Sequence, residues 1–317
     1  MEILFYWENV MQEAPQEKIE LLSVELLEKH RHTVSRLKGL AHSLSLEFGW
    51  HYLLDMTWIL EQLGSLAGKR IIDAGAGVGV LQWYLARDGA HVISVDRLSR
   101  ADLPLRFRSR FHVQGLREQD LLSARQVFRE SLTSQAPLSA KVSRQLREVR
   151  AMARFGKGAG KVFIYNQDLK DLADIDDDSI DAVVAVSALE HNSPEALELV
   201  VQELMRVLKP GGFLAASLNA AREEDWWHEP SSGWCYTDDS LRRLFCLPPD
   251  LPSNYDRYDE LLAELRDCRE LRDGLAAFYF RSGNNGMPWG KWSPQYIPVG
   301  VLKIKPPGHP TGGFITE

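Results

Sequence analysis

Five apolar runs in this chain each end on a group able to bind a ligand. Lys69-Arg-Ile-Ile-Asp73 leads into Gly75-Ala-Gly77-Val-Gly79, and His91-Val-Ile-Ser-Val ends on Asp96. Val162-Phe-Ile-Tyr165 is followed by Gln167-Asp168-Leu169. The run from Ile180 to Val186 leads to Ser187-Ala-Leu-Glu190-His191-Asn192, and the run from Phe213 to Leu218 leads to Asn219. Glycines at 75, 77 and 79 let a ligand approach the backbone, and a helix after them offers free N–H groups. Asp96 stands 19 residues after Gly77, about the spacing of nucleoside-binding folds, and its carboxylate can accept two hydrogen bonds from ribose hydroxyls. Asp168 can accept from an adenine amino group.

The loop reads Asp-Ala-Gly-Ala-Gly-Val-Gly, whereas a dinucleotide site needs the third glycine one place later. An acid directly before the loop fits poorly beside a pyrophosphate, because both are anionic. It fits a cationic ligand, such as the sulfonium and amino groups of S-adenosylmethionine. The glycine-rich stretch 156–161 lacks the preceding strand, the glycine spacing and the hydroxyl residue of a phosphate loop. His191 is the first candidate for a catalytic base and His228 the second.

These groups need a frame that brings strand ends together. Residues 69–96 read as strand, glycine loop, helix and strand, the opening of a doubly wound sheet whose ligands sit at the carboxyl ends of its strands. The third strand follows only after about 65 residues, too long for a bare connection. Residues 117–133 and 138–154 have helical spacing, so 100–160 is expected to be a helical insert. Residues 15–64 are expected to be helical, with Leu21, Leu22, Val24 and Leu26 on one face. Further helices are expected over 194–208, over 236–245 with Thr237 as N-cap, and around 261–271. Closing strands are expected at 275–280 and 297–305.

Residues 70–96, 162–192 and 194–218 resemble the class I S-adenosylmethionine-dependent methyltransferases, in their small-molecule "type 11" branch. The matching pieces are Ile72-Asp-Ala-Gly-Ala-Gly-Val-Gly79, Val95-Asp96, Asp168, Asp181-Ala-Val-Val-Ala-Val-Ser-Ala-Leu-Glu-His191 and Glu203-Leu-Met-Arg-Val-Leu-Lys-Pro-Gly-Gly212. The resemblance covers roughly half the chain. It implies an α/β fold with a doubly wound, seven-stranded Rossmann-like sheet of order 3-2-1-4-5-7-6, the seventh strand antiparallel. It implies S-adenosyl-L-methionine as cofactor, with Asp73, Gly75 and Gly77 at the methionine end, Asp96 at the ribose and Asp168 at the adenine. Ala74, Arg97, Leu169 and Ser187 complete the candidate cofactor-binding set. The expected organisation is a helical N-terminal extension over 1–64 and a methyltransferase domain over 65–317 that includes the insert 100–160.

The net charge of −7 is unevenly placed. Arg97 to Lys161 carries +10 and the remainder −17. Arg106 and Arg108, beside Phe107, are candidates to grip an anionic acceptor above the crevice. Trp226, Trp227 and Trp289 are further acceptor-site candidates, since aromatic faces suit a sulfonium or a flat acceptor. The expected reaction is methyl transfer to a small or medium metabolite, anionic or sugar-like. The alternatives are methylation of RNA or protein, and a non-catalytic S-adenosylmethionine-binding module; a nicotinamide dehydrogenase is disfavoured by the glycine spacing. No nucleic-acid partner is expected from an acidic chain without a recognisable RNA-binding module. Cys235, Cys246 and Cys268 form no C-x-x-C pair, and no metal site is expected. The longest uncharged run, Ala74 to Ala86, is too short to span a membrane, and the acidic N-terminus is unlike a signal peptide. A cytoplasmic location is therefore expected; the sequence carries no sign of the oligomeric state.

Overall fold

Period-2 and continuous apolar runs become strands in the computed structural model, which describes residues 15–133, 159–274 and 291–307. The strands are Lys18–Leu21 (β1), Arg70–Ala74 (β2), His91–Asp96 (β3), His112–Gly115 (β4), Lys161–Asn166 (β5), Ile180–Val186 (β6), Leu208–Ala220 (β7), Trp226–His228 (β8), Gly233–Tyr236 (β9) and Ile297–Ile304 (β10). The sheet runs β1-β10-β7-β6-β2-β3-β5-β4, with β8 and β9 attached beside β7. β5, β3, β2, β6 and β7 are parallel, and β10 is antiparallel to β7. Val92, Val95, Val162, Ile164, Val183, Val184 and Leu214 are fully buried, as parallel strands covered on both faces require.

The helices are Glu25–Lys29 (α1), Arg31–Leu44 (α2), Tyr52–Leu63 (α3), Leu81–Arg87 (α4), Leu105–Arg108 (α5), Ala124–Thr133 (α6), Pro194–Val207 (α7), Asp238–Leu244 (α8), Tyr258–Asp267 (α9) and Arg269–Asp273 (α10). α7 begins at Ser193, whose hydroxyl accepts from the Ala196 N–H, with Pro194 in the first turn. Thr237 caps α8 in the same way, and Asp225 in turn accepts from the Thr237 N–H and hydroxyl. The expected helix around 261–271 is two helices, broken where Cys268 leaves the helical conformation.

The sheet is doubly wound as expected, but its edges differ. Lys18–Leu21 is a strand rather than the start of a helix. Its alternating pattern buries Ile19 and Leu21 and leaves Lys18 and Glu20 half-buried, the signature of period 2. It pairs antiparallel with β10, from Lys18 opposite Leu302 to Leu21 opposite Val299. β1 therefore takes the outer position, and the direction, that the expected order assigned to strand six. The expected strand at 275–280 lies outside the described residues. At the opposite edge the insert is not wholly helical: His112–Gly115 pairs parallel with β5. Phe107 stacks on Trp83 of α4 at 4.7 Å and Phe111 packs on it at 4.9 Å, which fastens the start of the insert to the body.

α3 lies on β6, β7 and β10 and carries Asp55, Met56, Thr57, Trp58 and Ile59 into the interior. The Trp58 ring covers Gly300 on β10 so closely that a Cβ there would stand 2.5 Å from ring carbons. Trp58 Nε1 donates to Glu20 of β1 at 2.9 Å, so one side chain joins helix and edge strand. No helix among the described residues is long and apolar enough to cross a membrane. Gly300→Ala is expected to cost about 1–3 kcal/mol through overpacking against Trp58, read as a lower denaturant midpoint at unchanged slope.

Candidate functional site

β2 and β6 flank the point where strand order reverses, which opens a crevice at their carboxyl ends. The glycine loop after β2 forms its floor. Gly75 has φ +70°, and a Cβ there would lie 2.4 Å from Ala188 Cβ, so only glycine lets the loop and the end of β6 approach this closely. The Gly75 and Ala76 N–H groups donate to Val95 O at 2.9 and 3.0 Å. Asp96 Oδ2 accepts from the Gly77 N–H at 2.8 Å, and its Oδ1 accepts from the Leu98 N–H at 2.8 Å. The acid at the end of β3 thus holds the loop while facing the crevice.

Two residues missed at sequence level brace the loop from below. Gln82, buried on α4, donates to Gly79 O at 3.1 Å and Gly77 O at 3.3 Å, and accepts from the Ser94 hydroxyl at 2.7 Å. Arg100 is 5 % exposed, and its guanidinium donates to Gly77 O at 3.0 Å, Ser94 O at 2.6 Å, Tyr165 O at 3.2 Å and the Ser94 hydroxyl. Gln82 was detectable as a polar residue on an otherwise apolar helix. Arg100 was indistinguishable from the other arginines of its stretch.

Above this floor is a cavity of about 710 Å³, within the usual range for small-molecule sites. Asp73, Gly75, Gly77, Asp96, Arg97, Asp168, Leu169, Ser187 and His191 all line it. Ala74 does not; its side chain is wholly buried in the sheet. Ser45, Leu46, Glu47, Phe48, Tyr52 and Met56 close the cavity from the N-terminal side. The lining is acidic, with Asp73, Asp96, Asp168 and Glu47 against Arg97. Burial pushes the Asp73 carboxyl up to about 7, with Arg100 opposing the shift and Asp96 adding to it.

His191 is exposed, and its Nδ1 lies 2.8 Å from the Ser232 carbonyl. A carbonyl only accepts, so Nδ1 carries the proton and Nε2 of the neutral ring is left as acceptor. His228 does not line the cavity. It is 4 % exposed, its Nδ1 is 2.7 Å from the Ser231 hydroxyl, and burial lowers its pKa.

The aromatic and basic candidates lie elsewhere. Trp226 and Trp227 are on a strand, so they point to opposite sides. Trp226 is half-buried against His228; Trp227 is exposed and donates to Glu229 at 2.7 Å. Neither lines the cavity. Arg108 does not reach it either: its guanidinium donates to Leu103 O, Ala101 O and Leu122 O, clamping its own loop. Arg106 donates to Leu44 O at 3.2 Å and covers the Phe107 ring. Both arginines are drawn away from the crevice because they satisfy backbone carbonyls. Trp289 lies outside the described residues. No group of three or more His, Cys, Asp or Glu side chains among the described residues is placed to hold a metal ion.

The raised pKa of Asp73 has a sign that can be tested. The folded state binds its proton more tightly than the unfolded state, so Asp73 adds stability below about pH 4 and loses that contribution as pH rises through about 7. Asp73→Asn is expected to flatten the fall in stability between about pH 4 and 7, measured by urea unfolding of the ligand-free protein.

Comparisons with known proteins bear on the same region. A family model described as a methyltransferase domain matches residues 138–216, which include β5 and β6. The ubiquinone biosynthesis O-methyltransferase of Acinetobacter baumannii (strain ACICU) is 41 % identical over 61 residues, 19 % of this chain and 24 % of that protein. The protein of that name from Bordetella bronchiseptica is 33 % identical over 120 residues, 35 % of this chain and 47 % of its own length. The chain thus spans a quarter to about half of the relatives it matches. Among solved structures, the [4+2]-cyclase SpnF superposes with a TM-score of 0.46 at 16 % identity, covering 92 % of this chain and all of that one. YcgJ of Bacillus subtilis gives 0.42 at 16 % identity, covering 80 % and 99 %. The methyltransferase-domain match thus falls on β5, β6, α7 and the start of β7, in the same doubly wound sheet whose glycine loop is held by the acid that ends β3.

Proposed function

We propose that the protein binds S-adenosylmethionine in the crevice and transfers its methyl group to a small or medium metabolite. The observation that carries this reading is the convergence of Asp73, Gly75, Gly77, Asp96 and Asp168 on one acidic cavity. The residues fit the cofactor in three respects. Gly75 and Gly77 bring bare backbone to the cavity wall. Asp96 stands at the strand end where ribose hydroxyls are bound. The surplus of carboxylates favours a cation over a pyrophosphate, which also argues against a nicotinamide dinucleotide.

When bound, S-adenosylmethionine supplies an electrophilic methyl group on a sulfonium sulfur. Asp73 and the glycine loop hold the methionine end, Asp96 the ribose and Asp168 the adenine. The carbonyl of Ser232 keeps the His191 ring in the tautomer whose Nε2 can take a proton from the acceptor. Orientation in a site closed by Phe48 and Tyr52 contributes on the order of 7–11 kcal/mol, so His191 adds to a rate that does not depend on it alone. A small acceptor is supported by a cavity of about 710 Å³ with an acidic lining, which would repel a nucleic-acid backbone. The relatives named for O-methylation in ubiquinone biosynthesis point the same way.

Calorimetric titration tests the cofactor assignment. S-adenosylmethionine and S-adenosylhomocysteine are expected to bind and NAD is not. Asp96→Ala is expected to weaken the two sulfur ligands by about 1–3 kcal/mol, the cost of losing hydrogen bonds to a charged group. Failure of both sulfur ligands to bind the unaltered protein would remove the basis of the assignment.

A further inference from the structure

A second cavity lies at the end of the sheet away from the crevice. Its volume is about 160 Å³, and Arg70, His91, Ile93, Leu116, Lys161 and Phe163 line it. Arg70 opens β2, His91 opens β3 and Lys161 opens β5, so the cavity stands at the amino ends of these strands. The register sets Arg70 opposite His91, His91 opposite Lys161, and Ile93 opposite Phe163. Opposed residues of neighbouring strands share a face, and so do residues two apart on one strand. The five strand residues of the lining therefore point the same way. Leu116 follows β4 and joins them, with its N–H on Ile164 O of β5 at 2.8 Å. Ser94, of the other parity, bonds Gln82 of α4, so this is the face that α4 does not cover.

The polar part of the lining is a guanidinium, an ammonium and an imidazole. None of these three side chains has a hydrogen bond or ion pair to a described residue. His91 Nδ1 is buried without a partner among the described residues. Arg108, Arg110 and Arg117 differ, because each serves backbone carbonyls. Two further ionisable groups stand along the same sheet edge. His112 opens β4 opposite Lys161 and adds another imidazole to the row. Asp181, on β6 beyond Arg70, accepts from the Arg70 N–H at 2.7 Å and from the Lys209 ammonium. It does not line the cavity, and no other carboxylate does.

The chemistry of the lining has two halves. A guanidinium presents a planar fork that matches a carboxylate, and an ammonium beside it adds charge and a further donor. Ile93, Leu116 and Phe163 give an apolar wall next to these donors. A cavity of about 150 Å³ holds benzene, so this one has room for a single ring. A bare inorganic anion would leave the wall unused, and a neutral ring would leave the bases unpaired.

We propose that this cavity is a second ligand site, which takes a small carboxylate whose apolar body is the size of one ring. The carboxylate meets Arg70, His91 and Lys161, and the ring lies on Ile93, Leu116 and Phe163. The site is separated from Asp96 by the length of β3, roughly 15–17 Å, and does not depend on the cofactor reading.

The test is an amide NMR titration of the full chain at low ionic strength, because salt screens the exposed Arg70 and Lys161. The probes are benzoate, benzamide with the same shape and no charge, and acetate with the charge and no ring. Benzoate is expected to bind with a Kd on the order of 1 mM, and the other two tenfold or more weakly. Its shifts are expected at Ile93, Leu116 and Phe163 and not at Gly75 or Gly77. Arg70→Gln combined with Lys161→Gln is expected to weaken benzoate tenfold or more, and Phe163→Ala severalfold. An unchanged thermal midpoint of the charge variant shows that its fold is intact. The proposal falls if benzoate does not bind or if benzamide binds as well as benzoate. It also falls if the charge variant binds benzoate like the unaltered protein, or if the shifts fall on the glycine loop.

Discussion

The binding end of this fold depends on one buried guanidinium. Arg100 joins the carbonyl of Gly77 in the loop to those of Ser94 on β3 and Tyr165 on β5. It also supplies a positive charge that favours the ionised form of Asp73, which burial and the neighbouring Asp96 disfavour. Burying a cation is expensive, and burial lowers the pKa of Arg100; its hydrogen bonds to Gly77 O, Ser94 and Tyr165 O and the charges of Asp96, Asp73 and Asp120 offset that cost. Without it, the loop would lose its brace and the acids their offset. The geometry of the glycines and the acidity of the cavity are therefore not separate features.

The same accounting explains why the charge of the insert misleads when read from composition. Arg108 serves three carbonyls of its own loop, Arg110 the Ser43 carbonyl, and Arg117 both Asp120 and the Asn166 carbonyl. A guanidinium has five donors in a rigid fork and can stitch irregular backbone together where no strand or helix satisfies it. A run of arginines near a crevice can be a scaffold for loops as readily as a grip for anions. Here Arg108, Arg110 and Arg117 are scaffold, and the crevice beside them is acidic.

What was legible in the sequence follows from the range of each interaction. The glycine loop, Asp96 and the end of β6 were legible because each is a local pattern whose place in a doubly wound sheet is set by topology. The caps at Ser193 and Thr237 were legible for the same reason. Lys18–Leu21 was not: four residues followed by more leucines read as helix, and only the partner on β10, far along the chain, selects the strand. Trp226 and Trp227 were marked as notable, but their strand, which decides where they point, was not. Glu190, Asn219 and Tyr236 come from three separate segments. That Glu190 Oε2, the Asn219 amide and the Tyr236 hydroxyl are buried with no partner among the described residues is a property of the packed molecule and has no counterpart in any one stretch of sequence.

The pairing of β1 with β10 also bears on how the chain reaches this structure. The two strands lie about 280 residues apart, and Trp58 on α3 covers a glycine of the later one. During synthesis, Ile19, Leu21 and Trp58 must wait for residues 297–304 to leave the ribosome before their apolar surfaces can be covered. Contacts of such long sequence separation form slowly, because the loop must close before the contact repays it. β1 is thus made long before its partner strand and is among the last elements to settle, and the interval between is when a chaperone or a protease would find it.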